Sequence, residues 1–280
     1  MWSTEAAEGQ TYEEYVKGAV QESLEIMVLS EQHMDEYNVV LTDEEKELVA
    51  KAAAEFSEAN TLENKEQVSG DDATVERVMT LLAIEQKVQN AIMDGADKEV
   101  SDDEAAQKSM EYVKYAYTSY DEDGNEVTVE DAEKEELLNN AKALAEAEDF
   151  DAEADAQNMS VQTLSFDAES TDLDAAVIEA ADALAEGEVS EVIETETACY
   201  VVKLTSLFDR DATDAKKDEI VAERQDALYT EVMTAWMDET EIEVDEKVWE
   251  SIDFNKLAIS IVTDESEPYA DEVQTDDVAE

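Results

Sequence analysis

Several residue types are nearly missing from this 280-residue chain. A single cysteine, Cys199, excludes an internal disulfide and a cysteine-based zinc site. A single histidine, His33, excludes a histidine-rich metal centre and any two-histidine site. No metal and no cofactor is therefore expected. The only proline is Pro268, close to the C-terminus. No run approaches the ~20 apolar residues of a membrane span, and no signal-peptide pattern is visible. Cations are scarce too: 18 Lys and Arg stand against 78 Asp and Glu, a formal net charge of -60. That balance argues against nucleic acid and anionic membranes as partners, because phosphate neutralisation needs clustered cations. It keeps copies apart and attracts cationic chain segments or divalent ions. A surface adapted to a salty or anionic setting accounts for it most simply.

What is present is enough to fold. Hydrophobic residues make up 43% of the chain, and the length allows two modest cores. Thr11-Tyr-Glu-Glu14 is a capping box, a threonine with glutamate three residues on. The run behind it sets Tyr12, Val16, Val20, Leu24, Met27 and Val28 on one helical face. Thr42-Asp-Glu-Glu45 opens a second helix and Asp71 to Met93 makes a third. Ser101-Asp-Asp-Glu104 reads as the start of a short helix ending near Met110. The first 110 residues thus read as all-helical.

The pattern then changes. Tyr112 to Tyr120 is aromatic and β-branched at strand spacing, and Asp121 to Asn125 breaks it. Helices are expected over Thr128 to Ala147 and Phe150 to Ala156, a strand over Met159 to Phe166, and a helix over Asp172 to Leu184. Gly187 is a helix stop, and Cys199 to Leu204, Cys-Tyr-Val-Val-Lys-Leu, is a compact apolar strand. The order β-α-β-α-β makes a small α+β domain. Asp211 to Asp238 returns to helix, and Trp249, Ile252 and Phe254 close the ordered part. The acidic residues 258–280 read as a disordered tail.

Other candidate sites weaken on inspection. Asp121-Glu-Asp-Gly-Asn-Glu126 looks like the start of a calcium loop. Its glycine falls before the required turn position, and position twelve is Ala132, which cannot chelate. A strand-ending turn fits better. His33 reads as a surface or boundary histidine, Cys199 as a small buried hydrophobe, and the methionine stripes mainly as core.

The run Ala181 to Thr195, with the strand that follows, resembles the closing segment of parvulin-type peptidyl-prolyl isomerase domains. The whole plan resembles the PrsA/SurA type of exported foldase. The resemblance implies an α+β architecture: a helical chaperone domain (1–110, completed by a returning helix at 210–257) with an inserted parvulin-like domain at 111–209. It implies an extracytoplasmic folding factor that isomerises X-Pro bonds in unfolded or nascent exported polypeptides. An export signal, a first strand and a helix would precede Met1. Membrane attachment would be through a lipid anchor outside residues 1–280, and the oligomeric state stays open.

The same resemblance implies the site. The two facing histidines of parvulins correspond to Tyr117 and Tyr200, so catalysis falls to those tyrosines. Leu164, Phe166, Leu173 and Val177 line the proline pocket. Packed core tyrosines are the simpler reading of Tyr117 and Tyr200, so a second reading stays open: a non-catalytic holdase that keeps the parvulin fold as a peptide-docking scaffold. A third is an acidic surface lipoprotein with a cation-buffering or adhesive role.

Overall fold

The computed structural model describes residues 2–7, 9–59, 70–120 and 126–254. The chain divides into a discontinuous helical unit, Met1–Gly95 with Leu228–Glu280, and a sheet unit, Ala96–Ala227, inserted within it. The expected calcium-loop segment, apart from Glu126, and the acidic tail lie outside the described residues.

In the helical unit, two short strands, β1 (Glu5–Ala7) and β2 (Gln10–Thr11), pair antiparallel ahead of α1 (Tyr12–His33). The capping box is complete: the Glu14 amide donates to Thr11 Oγ1, and the Thr11 amide to the Glu14 carboxylate at 2.8 Å. Reciprocal bonds of this kind satisfy donors that a helix start leaves free. A 3-10 turn, Met34–Tyr37, ends α1 at Asn38, which adopts φ 54, a left-handed conformation that asparagine tolerates better than most residues. Next come α2 (Asp43–Ala59), opened by the Thr42–Glu45 box, and α3 (Asp72–Asp94), capped by Asp71. Lys87 of α3 reaches both Glu45 oxygens at 2.7 Å. With the capping bonds from Thr42, it holds the Glu45 carboxyl at about 2 instead of an ordinary 4.5. Leu29, Val39, Ile84, Val88, Met233 and Trp236 build the core. His33 stacks on Trp236 with centroids 4.2 Å apart, and its Nδ1 lies 2.7 Å from Glu36.

The sheet unit begins with α4 (Asp102–Ala105) and β3 (Lys108–Ala116). The expected helix to Met110 is cut short. Ser101 caps α4, but Glu104 turns to Arg224 and does not complete a box, and Met110 is already inside β3. A hairpin, β4 (Thr118–Tyr120) with β5 (Glu126–Thr128), leads to α5 (Asp131–Ala145) and α6 (Phe150–Ala156). Then follow β6 (Gln162–Phe166), α7 (Ala175–Asp182), β7 (Ile193–Glu194) and β8 (Ala198–Ser206). The four-stranded sheet runs β6-β3-β8-β7, antiparallel throughout.

Both faces of this sheet are covered. On one side Val113, Tyr115, Cys199 and Val201 pack with Leu144 of α5 and Phe150 of α6. On the other Met110, Tyr200, Val202 and Leu204 pack with Val177 and Ile178 of α7. That is why Cys199–Val202 reads as an unbroken apolar run: a strand buried on both faces has no polar alternation to keep. The Gly187 turn braces β8. Gly187 takes φ 82, a region that glycine enters without a Cβ penalty. Its amide donates to Leu204 O at 2.7 Å, while Ser190 Oγ accepts from the buried Val202 amide at 3.0 Å.

The last helix, α8 (Arg210–Glu239), starts in the sheet unit and ends in the helical one, where α9 (Glu246–Ser251) follows. The expected limits of 111 and 209 differ from the observed 96 and 227 for a physical reason. Gln107 and buried Thr213 hydrogen-bond at 3.1 Å, and Asp209 N donates to Gln107 O at 2.7 Å. Arg210 and Lys217 both engage Asp102, holding its carboxyl at about 2. These bonds join α4 to the start of α8 and place both in the sheet unit.

Candidate functional site

The candidate site lies on the α7 face of the sheet and is built by strand alternation. Side chains of a strand alternate between faces, and residues directly opposite on neighbouring antiparallel strands share one. Tyr200 pairs with Lys114 and Val202 with Tyr112, so Tyr112, Lys114, Tyr200 and Val202 point the same way. Phe166 ends β6 on that face, and α7 lays Val177 and Ile178 over it. Leu164 and Leu173 pack at the edge and stay partly exposed, whereas Phe166 and Val177 are fully buried.

Five of the six residues expected at the site therefore come together: Leu164, Phe166, Leu173, Val177 and Tyr200. Tyr117 does not join them. It shares the opposite face with Val113, Tyr115 and Cys199, under α5. The reason is parity: Tyr117 is an odd number of residues from Lys114, and an odd step flips a strand side chain to the far side. Tyr112 and Lys114 stand beside Tyr200 instead. The Tyr112 and Tyr200 rings are 6.3 Å apart, and Lys114 Nζ lies 5.9 Å from the Tyr200 ring centroid. The Tyr112 hydroxyl donates to Gln162 Oε1 at 2.5 Å. Tyr200 is itself buried, and its hydroxyl makes no hydrogen bond among the described residues.

Tyr117 belongs to a different environment. Its ring lies under Lys134 Nζ at 4.2 Å. Its hydroxyl is buried beside the Cys199 thiol with no hydrogen-bond partner. Burial, reinforced by Cys199, pushes its pKa well above the ordinary tyrosine range, and burial likewise raises the Cys199 thiol. Neighbouring Tyr115 donates to Gln157 Oε1 at 2.7 Å, and burial lifts its hydroxyl to about 12. These groups stay protonated at neutral pH and form a packed core, with no part open to a peptide.

Alternation alone would have separated Tyr117 from Tyr200 once the register of β3 and β8 was known. Tyr112 and Lys114 were missed because that register depends on a long-range pairing with no local sequence mark. Among the described residues no group of three or more His, Cys, Asp or Glu side chains could hold a metal ion.

An antiparallel β6-β3-β8-β7 sheet packed between helices defines a small α+β domain. Residues 119–220 match the family model of the PPIC-type PPIASE domain. The matched region starts after β3, so it contains Tyr200 and the four pocket residues but neither Tyr112 nor Tyr117.

Solved foldase structures resemble the chain over most of its length. The foldase protein PrsA from Streptococcus pneumoniae is 19% identical, with 92% of this chain and 100% of that chain covered at a TM-score of 0.36. PrsA from Lactococcus lactis is 16% identical, with 89% and 90% covered at a TM-score of 0.38. A structure reported for two SurA-like chaperones of Campylobacter jejuni is 14% identical, with 81% and 86% covered at a TM-score of 0.28. No curated protein matches the chain. Among the described residues, no helix is long and apolar enough to cross a membrane.

Proposed function

We propose that the chain is an extracytoplasmic folding factor that binds unfolded exported polypeptides and isomerises their X-Pro bonds slowly, on the α7 face of the sheet unit. One observation carries this reading: in the part of the chain that matches the PPIC-type domain, Tyr200 packs with buried Phe166 and Val177 beneath the partly exposed Leu164 and Leu173, and its hydroxyl makes no hydrogen bond among the described residues.

The chemistry asked of such a patch is modest. The barrier to rotation about a peptide bond, ~18–20 kcal/mol, comes from amide resonance. Lowering it needs neither a nucleophile nor proton transfer to carbon. A surface that strips water from the imide and binds the twisted form better than the planar forms suffices, because only differential binding of the transition state accelerates. Phe166 and Val177 form the floor. A prolyl ring would rest on Leu164, Leu173 and the Tyr112 ring, while Tyr200 donates to the carbonyl whose conjugation is lost. In this reading Tyr112 and Tyr200, and not Tyr117, do this work.

The non-catalytic holdase reading is the alternative, and the missing histidines favour it. Titrating an unlabelled Ala-Pro peptide into isotopically labelled protein tests site and role together. The reading predicts shift changes at Leu164, Leu173 and Tyr200, with none at Tyr117 or Cys199. Shifts confined to the Tyr117 face would overturn it. Binding at the Tyr200 face without faster isomerisation would leave the holdase. The cation-buffering reading is weakened by an apolar groove in the helical unit, which such a role would not need.

A further inference from the structure

The α1 stripe read from the sequence is only partly used by the fold. Met27 is buried, but Val20 and Val28 are 43% and 40% exposed. Leu24, Val28 and Leu29 line one side of a groove of about 400 Å³ within the helical unit, with Ile242, Val244 and Trp249 also lining it. Ile242 and Val244 are 41% and 38% exposed. Solvent-facing aliphatic side chains gathered around a concavity mark a binding surface, whereas single exposed ones are ordinary.

The charges on this groove all have one sign. Every ionisable side chain lining it is acidic: Glu25, Glu241, Glu243 and Asp245. None of the four is ion-paired among the described residues. Asp245 caps α9 by accepting from Val248 N, and Glu25 accepts from Gln21. An apolar floor with an unneutralised anionic rim fits a ligand that is apolar in the middle and cationic at its ends. Charge disfavours a second copy, which carries the same -60, and the chain's own residues 264–280, which hold eight Asp and Glu and no Lys or Arg.

We infer that this groove binds extended polypeptide segments whose apolar residues are flanked by Lys or Arg. The inference rests on the folding-factor reading and names the segments that such a factor would hold. Its rim makes capture faster and tighter for cationic flanks, and salt removes that advantage.

Two short fluorescein-labelled peptides test it, identical in a Leu/Val/Phe centre and flanked by Lys-Lys or by Glu-Glu, titrated against the full chain by anisotropy. The Lys-flanked peptide should bind about tenfold tighter at about 20 mM salt, the gap closing to about twofold at about 0.5 M. Val28→Ser with Ile242→Ser, both at exposed positions, should weaken the Lys-flanked peptide about tenfold. Glu241→Gln with Glu243→Gln should shrink the preference and leave the Glu-flanked peptide bound as before or better. Equal affinity for the two peptides at low salt, or unchanged binding in the Val28/Ile242 variant, would overturn the inference. Suppression of client aggregation in the same samples reports separately on the folding-factor reading. A protein that suppresses aggregation without discriminating loses only the groove proposal, and one that does neither loses both.

Discussion

In the sheet unit β8 buries five residues in succession, Ala198–Val202, whereas in the helical unit α1 buries only Met27, Leu29 and Ser30 of its 22 residues. The contrast extends over both units. Among the described residues, every exposed large apolar side chain except Val127, Leu207 and Phe208 belongs to the helical unit. A sheet covered on both faces is rigid and can hold a few side chains in one arrangement, as a site for a single reaction requires. Helices that leave apolar residues uncovered suit contact with segments of varied sequence. The two units thus use similar apolar residues differently, one in a closed core and the other partly at the surface.

The largest effect that should sharpen this comparison is Phe166→Ala. Phe166 is fully buried, so its loss should cost the sheet unit about 3–5 kcal/mol. Val28→Ser on the exposed α1 face should change stability by no more than about 0.5 kcal/mol. All three tryptophans, Trp2, Trp236 and Trp249, lie in the helical unit, so their fluorescence follows that unit. Amide exchange of β3 and β8 follows the other. A Phe166→Ala cost below about 1 kcal/mol would break the contrast.

Tyr117→Phe should have a smaller effect, neutral or stabilising by up to about 1 kcal/mol, because it removes a buried hydroxyl that has no partner. Destabilisation beyond about 1 kcal/mol would show that the hydroxyl is engaged.

The smallest effect is tied to pH. The Glu45 carboxyl is depressed from 4.5 to about 2, first by the Lys87 hydrogen bond. A depressed folded-state pKa adds stability above the unfolded value and loses it as pH falls through the folded one. Lys87→Met should therefore be less stable than the parent above about pH 5, with the gap closing between about 4.5 and about 2. Comparing the two proteins cancels the general relief of acidic self-repulsion that both gain on acidification. A gap that persists unchanged at pH 2 would contradict the assignment.

The helices were the most legible part of the sequence. The Thr11 and Thr42 boxes mark their starts within a residue, because capping is a local interaction written in adjacent side chains. Ser101 misled because Glu104 spends its carboxylate on Arg224, 120 residues away. The packing of Leu164, Phe166 and Tyr200 on one side follows from strand alternation. Tyr117 was misplaced because the face a strand residue takes depends on register, and β3 meets β8 across more than eighty residues. The period of α1 was plain as well, but a period says which residues share a face and not whether anything covers it.

The most direct test is prolyl isomerisation of an Ala-Pro peptide series, followed by NMR exchange spectroscopy in the presence of the protein, its Tyr200→Phe variant and its Tyr117→Phe variant. Exchange accelerated by the parent and by Tyr117→Phe, and reduced about tenfold or more by Tyr200→Phe, is the predicted result. No acceleration by the parent, or a loss that follows Tyr117 and spares Tyr200, would contradict the assignment of isomerisation to the α7 face.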